Sequence, residues 1–222
     1  MYVLNGNTME LSKERWSAVV DFLKSGRYIL YDIETTGLDP GDSRITAVCV
    51  LGRDGVKATC TPDEEALLEY LTDRVKGEHA CIGYNNVSFD DPFIVARMLE
   101  LGMVSEAEEY CINTYPVDMY AAVAHLHNHR VNLRNACKRL GVRMPWGDGK
   151  QAVEDFRAGR YARVLEHCIS DVRALEDMYK VIVNAVGYDR LLQAAWGGLN
   201  LLEEWYGEHG NSKMKVVVRN GG

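Results

Sequence analysis

The stretch Tyr28-Ile29-Leu30-Tyr31-Asp32-Ile33-Glu34-Thr35-Thr36-Gly37 constrains this chain more than any other. An apolar, strand-forming run ends in two carboxylates one residue apart and then breaks at a Thr-Thr-Gly turn. Side chains alternate faces along a strand, so Asp32 and Glu34 project from the same side of its end. Two anions held side by side resist joint ionisation unless a cation lies between them. The pair is therefore a candidate seat for a divalent metal.

At 222 residues the chain has room for one well-cored domain, or a domain with a helical appendage. No apolar run approaches the roughly 20 residues needed to cross a bilayer, so no membrane partner is expected. The N-terminal residues lack a basic segment followed by an apolar core, so no secretory signal is visible. The cysteines Cys49, Cys60, Cys81, Cys111, Cys137 and Cys168 are scattered without a C-x-x-C pair, and several sit in apolar segments. Reduced thiols packed as small hydrophobes in a reducing, cytoplasmic compartment are the expectation.

The net charge of −7 argues against a nucleic-acid partner until its distribution is read. From Arg130 to Arg163 nine basic residues stand against three acidic ones, so this segment carries +6 and the other 188 residues carry −13. A basic stripe beside an acidic metal site suits a phosphodiester-cleaving enzyme, and a solvated helical face is the plainer alternative.

Along the chain, residues 11–24 read as an amphipathic helix capped by Ser12 and closed near Gly26. A first strand follows at about 27–34. Residues 44–51 and 55–60 flank Gly52-Arg53-Asp54-Gly55, a hairpin signal. Thr61-Pro62-Asp63-Glu64 reads as a capping box with Pro at the first helical position, opening a helix to about 74. A short strand at 80–84 leads to Asn85 through Pro92, and a helix then runs to Gly102. The remainder is mostly helical, with a short strand expected near 110–114, a loop at 144–152, a long helix at about 160–184, a further helix from Asp189 to about Glu208 and a Val-rich tail. This order argues for a mixed sheet with helices packed on it.

Two further carboxylates stand in informative settings. Pro92 is pre-set for a first helical turn, which makes Asp91 the natural N-cap and leaves Asp90 free to face a cleft at the strand ends. In the long late helix the apolar stripe Val164, Cys168, Val172, Leu175, Tyr179, Ile182 puts Asp171 at its edge. His167 is one turn earlier on the same face, where it could handle a water proton, or simply form a surface pair with Asp171.

Together these pieces resemble the DEDD superfamily of 3′→5′ exonucleases, on an α/β, RNase H-like (RNase T-type) fold: a mixed sheet flanked by helices. The likeness covers about 27–186, with 1–26 as an N-terminal helical extension and 187–222 as a helix and strand-like tail packed on the same domain. Asp32-Ile33-Glu34-Thr35-Thr36-Gly37 resembles the first motif, Asn86-Val87-Ser88-Phe89-Asp90 the second, and Glu166 to Tyr179 the third. The Gly83-Tyr84-Asn85 lead-in and Pro92-Phe93 exit are most similar to the exonuclease domains of family B DNA polymerases. One position departs from pattern. The family carries Tyr four residues before the last Asp or His five before it, and here His167 stands at the four-residue spacing.

The resemblance implies two divalent cations, Mg²⁺ or Mn²⁺, held by Asp32, Glu34, Asp90 and Asp171, with His167 positioning or deprotonating the attacking water. It implies single-stranded DNA 3′ ends as substrate and a separate polymerase or repair protein as partner. RNA 3′ ends, or a silent nucleic-acid-binding module of the same fold, are the alternatives. Thr35 and Thr36 would approach the terminal nucleotide or serve the turn before Gly37. Asn86 and Phe89 would meet the substrate strand or shape their turn, Phe89 reading better as core. Trp146 is the stacking candidate for a base, and Lys150, Arg157 and Arg160 are the candidate phosphate contacts. The run His125, His127, His129 lacks the Cys or carboxylate neighbours a metal shell needs and reads as exposed loop.

Overall fold

The computed structural model describes residues 4–5, 8–9, 13–77, 79–127 and 131–208, with side chains described over 16–77, 79–126 and 131–197. The Ser12 cap, His129 and the Val-rich tail lie outside the described residues.

A two-residue ladder, β1 (Leu4–Asn5) with β2 (Thr8–Met9), precedes helix α1 (Lys13–Ser25). The main sheet comprises β3 (Tyr28–Thr35), β4 (Ile45–Gly52), β5 (Gly55–Cys60), β6 (His79–Gly83) and β7 (Thr114–Asp118), in the order β5-β4-β3-β6-β7. β3, β4 and β5 form an antiparallel meander, whereas β6 and β7 run parallel to β3. Central β3 is thus flanked by an antiparallel and a parallel neighbour, and both its faces are covered. The mixed sheet flanked by helices expected from the sequence is present.

Alternation along β3 divides the core in two. Leu30 packs with Cys49, Ile82 and Val117 beneath α1, α5 (Met119–His127) and α8 (Tyr161–Glu208). Ile29, Tyr31 and Ile33 pack on the other face with Val48 and Val50, beneath α2 (Glu64–Val75), α3 (Asp90–Glu100) and α4 (Val104–Asn113). Asp32 and Glu34 share the Leu30 face and point toward α8. Val19 and Leu23 of α1, and Leu191, Leu192, Ala194 and Ala195 late in α8, belong to the same cluster as Leu30. Long α8 turns at Gly187, whose φ of 78° lies outside the helical region.

Four local expectations are corrected. Helix α2 is capped by Asp63, which accepts from the Ala66 backbone N–H, so Pro62 precedes the cap, and Glu64 turns away to the Ile45 N–H and Arg97. The strand expected near 110–114 lies at Thr114–Asp118, because Ala107 and Tyr110 bury a helical face of α4. Pro116 is tolerated there because β7 is an edge strand. The loop expected at 144–152 is shorter, since Asp148 caps helix α7 (Gly149–Arg157) by accepting from the Gln151 N–H. Asp91 caps nothing: α3 begins at Asp90, and the Asp91 carboxylate accepts from the Tyr31 and Tyr110 hydroxyls and from Asn86 Nδ2.

Candidate active site

The C-terminal end of β3 is where the sheet opens. Pairing with β6 runs from Tyr28↔Ala80 to Leu30↔Ile82. Beyond it the Asp90 carboxylate, at the start of α3, comes within reach of the Ile33 backbone N–H. Asn85 prepares this approach by adopting a left-handed backbone with φ 69°, a conformation Asn tolerates. Asp118, at the end of β7, accepts from the Asn85 N–H at 2.9 Å and from the Tyr120 N–H at 2.9 Å, tying the β6 exit to the start of α5. On β3 itself the register with β4 shifts between Glu34 and Thr35, a bulge that ends regular pairing at the acidic pair.

Helix α8 crosses this end of the sheet. His167 is buried and its Nδ1 lies 2.6 Å from Glu34 Oε1. Cys168 Sγ lies 3.4 Å from Asp32 Oδ2. One turn later Asp171 is half-buried, and its Oδ1 has no hydrogen-bond partner. Three stretches of chain thereby bring Glu34, Asp90 and Asp171 within electrostatic reach of Asp32, while among the described residues the ligand atoms lying within 4.8 Å of one another are those of Asp32, Glu34 and Cys168.

The electrostatics record that crowding. Burial holds the Asp32 carboxyl well above its ordinary range, and the charges of Glu34, Asp171 and Asp90 each push it further. Asp90 is likewise raised by burial and by Asp91. Asp171 is pushed up to about 7 by burial and by Glu34, against the opposing pull of His167 and Arg134. For His167, burial favours the neutral ring, yet the bond and charge of Glu34 outweigh it and the imidazole is raised. Carboxylates that resist ionisation side by side, with an orphan buried oxygen among them, are a donor set suited to hard divalent cations.

Cys168 also places its sulfur within 4.8 Å of ligand atoms of Asp32 and Glu34. Burial and its bond with Cys49 raise that thiol well above its ordinary value, so it serves as a donor to Asp32. The oxygens are the better ligands. Sequence reasoning placed Cys168 on the buried stripe of α8 but missed this contact, which depends on how the helix crosses β3.

The segment between α6 (Leu133–Leu140) and α7 forms one wall. Trp146 N–H donates to Ser170 Oγ at 2.8 Å, and Arg134 donates to the Gly147 carbonyl at 2.7 Å. Gly147 has φ +75°, and a Cβ there would stand 2.8 Å from His167 Cδ2. The Trp146 side chain is 49% exposed beside the site, and Lys150 is exposed on the first turn of α7.

The other expected contacts divide. Thr35 Oγ1 donates to the Gly37 carbonyl and Thr36 Oγ1 accepts from the Arg44 N–H, so both hydroxyls serve the turn. Asn86 is fully buried against Gly83, and its Nδ2 donates to the Asp91 carboxylate, so it helps shape its turn. Phe89 is half-buried and packs on Phe93. Arg160 pairs with the buried Asp155 at 2.6 Å, leaving Lys150 and Arg157 as the more available phosphate candidates. His125 packs against Gly197 of α8.

A family model of the RNase_H superfamily matches residues 29–183, and the chain belongs to that superfamily. Among solved structures it is similar to the family B DNA polymerase from the hyperthermophilic archaeon Pyrobaculum calidifontis, with a TM-score of 0.60 and 17% sequence identity. That likeness covers 80% of this chain and 29% of the polymerase, and at this identity it establishes the shared fold. A search of curated proteins by sequence gives no match. The superfamily and the acidic cluster together suggest a nucleic-acid-cleaving enzyme.

Proposed function

We propose that the chain is a metal-dependent 3′→5′ exonuclease acting on single-stranded DNA ends. The observation that carries this reading is the convergence of Asp32, Glu34, Asp90 and Asp171 from three separate stretches, each within electrostatic reach of the Asp32 carboxyl. Divalent cations held by these four carboxylates would activate a water and neutralise charge on the leaving oxygen. The protein's own contribution is positioning. Glu34 engages Nδ1 of His167, so Nε2 is the ring nitrogen left to orient the attacking water and accept its proton. Asp90, within reach of the Ile33 N–H, would supply a carboxylate from the start of α3. Trp146 offers a stacking face for a terminal base, and Lys150 and Arg157 offer phosphate contacts that are salt-sensitive and read no sequence.

The test uses 5′-labelled DNA and RNA strands of identical sequence, incubated with the protein and Mg²⁺ or Mn²⁺. Shortening from the 3′ end, faster on DNA, is expected. Faster trimming of RNA would replace the substrate, and retention of both strands without cleavage would leave a binding module. The Asp171→Ala variant is expected to lose cleavage.

A further inference from the structure

At the end of the sheet away from the carboxylates, a cavity of about 380 Å³ opens between the start of β3, the β4–β5 turn, the end of α2 and the start of β6. Tyr28 and Ile29 line it at the start of β3, three residues or more before Asp32, so at the nearest approach about 10 Å of backbone separates the two places at roughly 3.3 Å per residue. The volume lies in the range of small-molecule sites, roughly 300–1,000 Å³.

The charge of its lining is lopsided in a chain whose net charge is −7. Arg27, Arg53, Arg74, Lys57 and Lys76 face two acids, Asp54 and Asp73, while burial favours the neutral ring of His79. Each acid is met by a lysine, Asp54 by Lys57 at 3.8 Å and Asp73 by Lys76 at 2.6 Å. These pairs are exposed and therefore weak enough to yield to a stronger anion. Arg27 reaches the Gly77 carbonyl and Arg53 the Gly26 carbonyl, which fixes both guanidinium groups at the cavity edge. Arg74 lies 4.8 Å from the Tyr70 ring centre. In the wall, Arg74 Nε is buried without a hydrogen-bond partner. Such a group is costly unless an acceptor arrives. A phosphate oxyanion matches it, because guanidinium donors grip phosphate in a fork. Ile29 and Val50 add an apolar wall that a bare phosphate would not use.

We propose that this cavity is a second ligand site that takes a nucleotide through its phosphate, with Arg74 holding the phosphate and Lys57 and Lys76 at the rim. The site shares no residue with the carboxylate cluster, so it stands or falls apart from the nuclease reading.

Calorimetric titration of the full chain in EDTA tests it, with a nucleoside 5′-monophosphate, the matching nucleoside, inorganic phosphate and a 5′-phosphorylated single strand as probes. One monophosphate per chain is expected, bound at least about tenfold more tightly than the nucleoside, with inorganic phosphate competing for it. Arg74→Gln is expected to weaken binding by about tenfold and Lys76→Gln by a few-fold, while Asp32→Asn leaves it unchanged. Equal binding of the strand names a nucleic-acid end as the source of the phosphate, and preference for the monophosphate names a free nucleotide. Should Arg74→Gln fold poorly, the Nε–Hε resonance of Arg74 in the natural chain is expected to move on adding the monophosphate. No saturable binding of any phosphate, equal binding of nucleoside and monophosphate, loss of binding in Asp32→Asn, or an unmoved Arg74 resonance would each overturn the proposal.

Discussion

Glu34 meets His167 at 2.6 Å across 133 residues of sequence, and this contact gives the imidazole its place beside the carboxylates. If His167 handles the water proton, His167→Gln slows cleavage by about 10²–10⁴-fold, measured as single-turnover rates on a labelled strand. An unchanged rate removes that role. Asp118 carries a prediction of a different kind. Burial raises its carboxyl to about 6, against the backbone N–H bonds of Asn85, Ala121 and Tyr120. The folded state thus holds this proton more tightly than the unfolded state. The stability it confers is fully present below about pH 4 and is lost as pH rises to about 6, on the order of 3 kcal/mol. Asp118→Asn keeps an acceptor for those N–H groups and removes the titration. Urea midpoints at pH 4 and pH 7 should therefore differ less in the variant than in the natural chain, and an equal difference would contradict the assignment. At this scale the shared face of Asp32 and Glu34 was readable from strand alternation, as was that of His167 and Asp171 from helical spacing. The role of Asp91 was not. Local capping logic favoured it as an N-cap, but hydroxyls from Tyr31 and Tyr110, brought from distant stretches, claim its carboxylate.

Elements set the site's tolerance. The wall between α6 and α7 passes so close to His167 that only glycine fits at position 147, where φ is also positive. Gly147→Ala would press on the imidazole and strain the backbone by about 1 kcal/mol. Cleavage is expected to fall by about tenfold or more from the displaced ring, with circular dichroism nearly unchanged. A variant with full activity would show that the wall does not position His167. The hairpin β4–β5 and the helix α8, with its interruption between about 184 and Asp189, were legible because turn residues and apolar periodicity mark them directly. The β7 strand was misplaced because Tyr110, Cys111 and Ile112 favour a strand locally, while burial of Ala107 and Tyr110 keeps them in α4. Pro116 hid the true strand, since the sequence alone does not reveal that β7 lies at the sheet edge.

The whole molecule is a sheet with cores on both faces and acid groups gathered at one end of its central strand. Its architecture followed from the order of elements, but the meeting of carboxylates rested on three motifs whose separation in sequence says nothing of distance. The cluster is repulsive without a cation, so Mg²⁺ or Mn²⁺ should stabilise the fold. At about 100 times the dissociation constant the gain is about 2.7 kcal/mol, or roughly 5–10 °C in melting temperature for a chain of this size. Scanning calorimetry with the metal and with EDTA measures it, and Asp32→Asn should lose the shift. The most direct measurement counts the ions themselves: Mn²⁺ titrated into the full chain and followed by electron paramagnetic resonance of the free ion. Two ions bound per chain, with Asp32→Asn and Asp171→Asn each losing at least one, is the predicted result. A chain that leaves all its Mn²⁺ free, or variants that bind as the natural chain does, would contradict the account.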